Sequence, residues 1–173
     1  MRRLQRAGRR VALTNGCFDL LHVGHLSSLE ELRRQADLLV VAVNSDSSMR
    51  RLKGAGRPLV PARERALLVA GLKPVDYVMV FPELTPLKVV RTLRPDLLGK
   101  GSDWKGREVV GRREVESWGG RVVLLKYRSG HSTTELLRRA RNARKRKRRE
   151  YWRSVARSVI GIGHCVRDRG GTA

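Results

Sequence analysis

The chain has 173 residues, enough for one domain with its own core, and its formal net charge at pH 7 is +22. Its two cysteines, Cys17 and Cys165, lack the spacing of a disulfide framework, so a reducing, cytoplasmic setting is predicted. The longest apolar run covers only residues 38–43, and no signal-type apolar segment follows the basic N-terminus. The sequence therefore predicts no integral membrane association.

Short apolar runs alternate with helical patterns along the chain. The second run is nearly continuous Val and Leu, which is typical of a strand buried on both faces. One helix is predicted to start with Thr85 as its cap and Pro86 in its first position. Strands are predicted over 10–14, 37–44, 77–81, 96–100 and 121–126, and helices over 24–35, 61–72, from 86, over 108–118 and from 132.

Repeated strand–helix units predict an α/β fold with a doubly wound sheet of about five parallel strands and helices on both faces. The predicted domain covers residues 10–140, after a basic N-terminal lead over 1–9. Residues 141–173 are predicted to form a basic C-terminal extension, either helical or disordered, because the basic run that begins it lacks an apolar stripe. Ligands of such sheets bind where the strands end, so polar motifs that follow the strands should share one cleft.

The polar segment NGCFDLLHVGH follows the first predicted strand and enters a helix. The start of that helix offers unpaired N–H groups and the positive end of the helix dipole. Gly24 lets a phosphate approach the backbone, and His22 and His25 fall on one side of the first turn. The segment therefore predicts a site that holds and polarises a phosphate chain. The alternatives are two ordinary surface histidines, or a zinc half-site with Cys17 as third ligand, which no second Cys/His cluster supports.

Two further motifs, VNSD and LKGAGRP, follow the second predicted strand. Asp46 of the first is placed to accept hydrogen bonds from sugar hydroxyls, although an Asx-type turn with Ser47 and Ser48 explains the motif equally well. In the second, Lys53 lies on a glycine-rich loop and suits charge that develops on a transferring phosphoryl group. Arg57 can clamp a phosphate with two hydrogen bonds. The alternative for this second motif is an exposed basic turn.

Small residues follow the fourth and fifth predicted strands, in LGKGSDW and SGHSTT. In the first motif they let a nucleobase or ribose lie on the backbone, and Asp103 is placed to bind a ribose hydroxyl. In the second, hydroxyls and free N–H groups at a helix start form another phosphate cradle, whereas a plain helix cap needs only one hydroxyl.

Together these motifs resemble those of the HxGH nucleotidyltransferase superfamily, and within it the adenylyltransferases that make ADP-heptose. TNGCFD with HVGH alone indicates only the superfamily, whereas KGAGRP with VVG, GGRVV and GHSTT resembles the heptose enzymes. The likeness covers roughly residues 10–140. It implies a Rossmann-like fold and transfer of AMP from ATP to D-glycero-β-D-manno-heptose 1-phosphate, with release of pyrophosphate, for lipopolysaccharide core synthesis.

The resemblance also implies partners and residue roles. Mg²⁺ would enter bound to ATP, held by phosphates and water, so no metal ligand is predicted in the protein. We also expect a homodimer and a separate heptose kinase that supplies the sugar 1-phosphate. The implied roles are catalysis for His22, His25 and Lys53, acceptor binding for Asp19, Asp46 and Arg57, and ATP binding for Thr14, Gly16, Cys17, Phe18, Gly24, Lys100, Gly101, Asp103, Ser132, Thr133 and Thr134.

Three positions depart from the family pattern: Gly99, Ser102 and Trp104 stand where Val, Gly and Tyr are usual. None of these changes removes a charged group, so they affect affinity for the base more than the chemistry. The runner-up function is transfer of a cytidylyl or adenylyl group to another phosphorylated alcohol such as glycerol 3-phosphate. A function of another class is nucleic-acid binding through the basic tail, but no recognition motif is present, so no specific nucleic acid is predicted.

Overall fold

The computed structural model of the chain describes residues 2–102, 106–126 and 133–143, together with 147 and 150. Residues 133–143 are helical. The elements before them are, in chain order, α1 (Arg2–Arg6), β1 (Val11–Gly16), α2 (Val23–Arg33), β2 (Leu38–Asn44), α3 (Asp46–Lys53), α4 (Ala62–Ala70), β3 (Tyr77–Phe81), α5 (Leu87–Leu93), β4 (Leu97–Gly101), α6 (Arg112–Ser117) and β5 (Arg121–Leu125).

The five strands form one parallel sheet in the order β3-β2-β1-β4-β5. In the middle of the sheet, Leu13 of β1 pairs with Val40 of β2 on one side and with Leu98 of β4 on the other. The chain moves outward from β1 to β3 and then crosses back to β4, so the strand order reverses between β1 and β4. The predicted doubly wound sheet is confirmed, and its switch point lies where β1 and β4 end.

Alternating side chains of the strands build a core on each face of the sheet. On one face, Leu39 and Val41 of β2 pack with Leu29 and Leu32 of α2 and with Val69 of α4. On the other face, the intervening β2 residues belong to a second core with residues of α5 and α6. Helices therefore cover both faces, and the central strands are buried on both sides as their apolar sequence predicts.

Three aspartates hold the amino ends of the strands together. Each directly precedes a strand, and its carboxylate accepts a hydrogen bond from a backbone N–H within one or two residues of the start of the neighbouring strand. Asp37 accepts from Arg10 N at 2.8 Å, Asp76 from Leu39 N at 2.7 Å and Asp96 from Val11 N at 2.7 Å. These bonds satisfy N–H groups that have no partner in the ladder and fix the register at one edge of the sheet.

Several element boundaries differ from the sequence prediction. α1 lies in the segment predicted only as a basic lead, and α3 was not predicted. The helix expected over 108–118 begins only at Arg112, because Gly111 has a left-handed backbone with φ of 93°. The prediction that Thr85 caps α5 is wrong: Pro86 is the cap residue, and its carbonyl accepts the first helical hydrogen bond, from Val90 N at 2.9 Å.

The chain divides into two compact units, Met1–Thr133 and Thr134–Ala173. In the second unit, Glu135 forms ion pairs with Arg138 at 2.7 Å and with Arg139 at 2.9 Å. Among the helices that the structure describes, none combines the length and the apolar character needed to cross a membrane.

We expect Asp96→Ala to lower the free energy of unfolding by about 2 kcal/mol, because it removes a charged acceptor from a buried strand start. Denaturant unfolding measures the change. Glu116→Ala is the matched control: it removes an exposed i,i+4 pair with Arg112 on α6 and should cost less than about 0.5 kcal/mol. Equal stability of Asp96→Ala and the parent chain would contradict the role of the aspartates.

Candidate active site

The segment between β1 and α2 carries the HVGH motif to the switch point of the sheet. His22 is the N-cap residue of α2, with an extended backbone, and its side chain makes no capping hydrogen bond. The His22 carbonyl accepts from His25 N at 2.9 Å, so the helix starts directly at the motif. Gly24 lies in the first turn of α2. The predicted helix N-terminus after the first strand is confirmed.

The two imidazoles of the motif stack on each other. Their ring centroids are 3.8 Å apart with an angle of 23° between the ring planes, and the Phe18 ring lies 5.1 Å from that of His25. His25 Nδ1 is buried and has no hydrogen-bond partner in the part of the chain that the structure describes. Burial and the neighbouring His22 lower the pKa of His25 to about 4, so this imidazole is neutral at physiological pH.

Charged side chains from four segments surround Cys17. Burial raises the pKa of its thiol, opposed by the positive charges of Lys53, Arg65 and Lys100, while Asp19 adds to the rise. The thiol therefore stays protonated near neutral pH, unlike a zinc-bound cysteine. Within the described ranges, no group of three or more His, Cys, Asp or Glu side chains is arranged to hold a metal ion. Three cations near one point instead make this edge attractive to anions.

Side-chain hydrogen bonds join β1 to β4 at the switch point. The Lys100 ammonium, on a residue only 9% exposed, donates to Asn15 Oδ1 at 2.6 Å, and Thr14 Oγ1 donates to the Gly99 carbonyl at 3.1 Å. Gly101 is the last residue of β4. The structure thus places a buried cation beside the end of β1, where the nucleotide is predicted to bind.

The space beside Gly99, one of the departures from the family pattern, is filled by neighbouring side chains. A Cβ at this position would lie 2.4 Å from Leu32 Cδ2 of α2 and 3.2 Å from Leu125 Cδ1 of β5. The space that a larger residue would occupy is therefore taken by core leucines. A larger residue at this position would need Leu32 of α2 to shift.

Asp19 binds Arg57, the residue expected to clamp a phosphate. The Asp19 carboxylate, on a residue 5% exposed, accepts from the Arg57 guanidinium and from the backbone N–H groups of Leu59 and Val60 at 2.8 and 3.2 Å. Asp19 therefore holds the segment around Arg57 beside the HVGH turn. Its predicted contact with the acceptor stays a prediction, and so does that of Arg57.

Arg65 of α4 is a site residue that the sequence analysis missed. It is fully buried, and its guanidinium donates to the carbonyls of Cys17 and Val60 and to the Asp46 carboxylate, the last at 2.7 Å. Arg65 and Val69, four residues apart, form the buried side of α4. A charged residue in register with an apolar helix face is a signal that could have identified it.

Asp46 is the first residue of α3, and its Oδ1 atom is fully engaged. Oδ1 accepts from Arg65 and from the Ala62 backbone N–H at 2.8 Å, whereas no hydrogen bond to Oδ2 occurs within the described residues. The VNSD segment is a helix start rather than an isolated Asx turn, since the Ser45 hydroxyl accepts from Ser48 N. A contact between Asp46 and a sugar hydroxyl remains a prediction.

The remaining predicted site residues are Gly16, Lys53, Asp103, Ser132, Thr133 and Thr134, of which Asp103 and Ser132 are not described by the structure. Lys53 is exposed at the end of α3, so it does not lie on the loop that was predicted for it. A Cβ on Gly16 would lie 3.1 Å from the Phe18 ring. Thr133 Oγ1 donates to the Leu20 carbonyl at 3.4 Å, which places Thr133 beside the segment that leads to the HVGH motif. Thr134 begins the second unit, and Asp103 and Ser132 lie outside the described residues.

A family profile described as cytidylyltransferase-like matches residues 13–139 of the chain. The chain belongs to the cytidylyltransferase-like family. Bifunctional protein HldE of Syntrophotalea carbinolica is 54% identical over 135 residues, which cover 78% of this chain and 28% of that protein. Bifunctional protein HldE of Acidiphilium cryptum is 53% identical over 140 residues, which cover 81% of this chain and 29% of that protein. The chain thus spans less than a third of the length of these relatives.

A solved structure has a related fold. The lipopolysaccharide core biosynthesis protein from Thermoplasma volcanium is 30% identical and superposes with a TM-score of 0.58, over 70% of this chain and 98% of that protein. The predicted Rossmann-like architecture agrees with this likeness and with the observed sheet.

We expect binding of a nucleoside triphosphate to be accompanied by proton uptake at about pH 5.5. His25 is neutral there in the free protein because its pKa is about 4, and an adjacent phosphate charge favours the protonated imidazole and raises that pKa. Calorimetric titration with ATP in buffers of different ionisation enthalpy measures the uptake. His25→Ala should bind with less uptake at this pH, and an unchanged value in that variant would place the phosphate away from the pair.

Proposed function

We propose that the chain transfers AMP from ATP to D-glycero-β-D-manno-heptose 1-phosphate, giving ADP-heptose and pyrophosphate for lipopolysaccharide core synthesis. The main support for nucleotidyl transfer is the stacked pair of His22 and His25 at the switch point of the sheet, in a chain of the cytidylyltransferase-like family. The choice of sugar rests on the KGAGRP and GHSTT motifs. The likeness to a lipopolysaccharide core biosynthesis protein supports it.

The proposed reaction depends on the positions of the two substrates and on neutralisation of their phosphate charge. It needs no covalent enzyme intermediate. An oxygen of the sugar phosphate attacks the α-phosphorus of ATP in line, the bond from this phosphorus to the bridging oxygen breaks, and pyrophosphate leaves. The attacking phosphate is already anionic near neutral pH, so no general base is required. Bound phosphates favour the protonated state of His25. The two imidazoles and Lys53 then stabilise the negative charge that builds up in the transition state.

Mg²⁺ would be held mainly by the phosphates and by water. Both nearby carboxylates already bind arginine, Asp19 with Arg57 and Asp46 with Arg65, and no cluster of ligands for a metal occurs in the described part of the chain. Such a site accepts a metal that arrives with the nucleotide and neutralises phosphate charge. The chain's own contribution is to orient the triphosphate against the first turn of α2.

The acceptor would bind between the segments that carry Asp46 and Arg57. Asp46 keeps one carboxylate oxygen available for a hydroxyl, while Arg65 fixes the other. Arg57 uses one terminal nitrogen for Asp19, which leaves further guanidinium N–H groups for the sugar phosphate. The exposed Lys53 is the last residue of α3, and Gly54, with a φ of 94°, ends the helix directly after it. Its flexible side chain can follow charge as it moves between the substrates.

A pyrophosphate-release assay tests this function directly. ATP and CTP are each combined with heptose 1-phosphate, other sugar 1-phosphates and glycerol 3-phosphate, and His25→Ala serves as the control for contaminating activity. We expect the highest kcat/KM with ATP and heptose 1-phosphate. Preference for CTP with glycerol 3-phosphate would select the runner-up function, and no release with any pair would reject nucleotidyl transfer.

We expect His22→Ala and His25→Ala each to lower kcat by at least about a hundredfold, because each removes a group that acts mainly on transition-state charge. Circular dichroism checks that the fold survives. Turnover close to that of the parent chain in both variants, at saturating ATP and Mg²⁺, would rule out the histidine mechanism.

Lys53→Ala and Asp46→Ala should differ in which constant they change. Loss of Lys53 should reduce kcat by roughly tenfold with little effect on KM, because its charge matters most as the transition state forms. Loss of Asp46 should raise the KM of the sugar phosphate, which loss of Lys53 leaves nearly unchanged, in addition to any fall in kcat that follows from the lost anchor of Arg65. Steady-state kinetics with the acceptor varied separates the two, and an unchanged acceptor KM in Asp46→Ala would remove Asp46 from the acceptor site.

A further inference from the structure

Phe18, between β1 and the HVGH motif, has an unusual backbone. Its φ is 48°, in the left-handed region that residues with a Cβ rarely adopt, and the residue is buried. An aromatic residue keeps such a conformation only where its surroundings hold it there. A contact with the surrounding chain must therefore hold the Phe18 backbone in place.

Arg65 makes that contact through the backbone. Its guanidinium donates to the Cys17 carbonyl, which belongs to the peptide group that joins Cys17 to Phe18. Further hydrogen bonds, to the Val60 carbonyl at 2.8 Å and to Asp46 at 2.7 Å, fix the guanidinium in turn. Since a peptide group is planar, fixing its oxygen restricts the backbone rotation at Phe18.

The position of the Phe18 ring determines what supports the imidazoles. One side of the ring lies so close to Gly16 that a Cβ there would be 3.1 Å from Phe18 Cε2. The ring also lies 5.1 Å from that of His25, at an angle of 45°, and His25 in turn stacks on His22. A movement of the Phe18 ring would therefore remove the aromatic contact that supports His25 and, through it, the stack with His22.

We propose that Arg65 is a positioning residue for the histidine pair: it fixes the Cys17–Phe18 peptide, so that the Phe18 ring holds His25 stacked on His22. The consequence for catalysis rests on the proposed function, whereas the positioning itself does not. A purely structural Arg65, which only ties α4 to the neighbouring loops, would affect stability and leave the environment of His25 unchanged.

The experiment follows His25 in the free protein by NMR as the pH is varied. Arg65→Lys keeps the positive charge but cannot reach all three acceptors of the guanidinium fork. We expect the pKa of His25 to rise by about one unit from its value of about 4, because a loosened Phe18 lets water reach the imidazole. We also expect kcat to fall by about tenfold or more.

Two further variants make the test specific. Asp96→Asn weakens a hydrogen bond at the opposite edge of the sheet and should lower the melting temperature without changing the His25 titration or kcat. Asp46→Asn removes the charge that anchors Arg65 and should move the His25 titration in the same direction as Arg65→Lys. It takes the place of Arg65→Lys if that variant does not fold.

An unchanged His25 titration in folded Arg65→Lys, or in Asp46→Asn where Arg65→Lys does not fold, would overturn the proposal. An equal change in Asp96→Asn would do the same, because it would show a general loss of stability. The titration needs no substrate. Absence of pyrophosphate release from the parent chain would therefore reject the proposed function and leave the positioning test intact.

Discussion

The hydrogen bonds of the buried Arg65 guanidinium connect the parts of this site. A buried charge is costly unless it is paired and its donors are satisfied, and Arg65 meets this requirement with one carboxylate and two carbonyls from three separate segments. Those segments are the stretch between β1 and the HVGH motif, the stretch after Arg57 and the start of α3. Because one side chain satisfies all three, none of them can shift alone without leaving part of a buried cation unpaired. The geometry of the site follows from this constraint.

Charged side chains have different partners at the two edges of the sheet. Aspartates that precede the strands lie at the amino ends, where their carboxylates accept hydrogen bonds from backbone N–H groups. Cations such as Lys100 and Arg65 surround the carboxyl ends of β1 and β4, together with the start of α2. The positive charges of Lys53 and Lys100 near Cys17, together with the start of α2, favour anions at the switch point. The neutral His25 can then gain charge when phosphate arrives.

Much of the fold could be predicted from the sequence, because short apolar runs mark the strands. The strand over 77–81 was predicted with its observed bounds, and the histidine motif was placed correctly at a helix start. The register of Arg65 with Val69 on α4 could have marked it as buried, but its role was missed because its three acceptors lie far from it in the sequence or on separate segments. α3 was missed because VNSD also suits a turn. The engagement of Asp19 and Asp46 by arginines was likewise invisible until the loops were placed in space.

A crystal structure of the chain with a non-hydrolysable ATP analogue and Mg²⁺ would show directly whether the histidine pair binds the triphosphate. We expect the triphosphate to lie against the first turn of α2, with phosphate oxygens within hydrogen-bonding distance of both His22 and His25 and with Lys100 close to the nucleotide. A nucleotide bound elsewhere, or a triphosphate that leaves the two stacked imidazoles without a phosphate contact, would contradict this expectation.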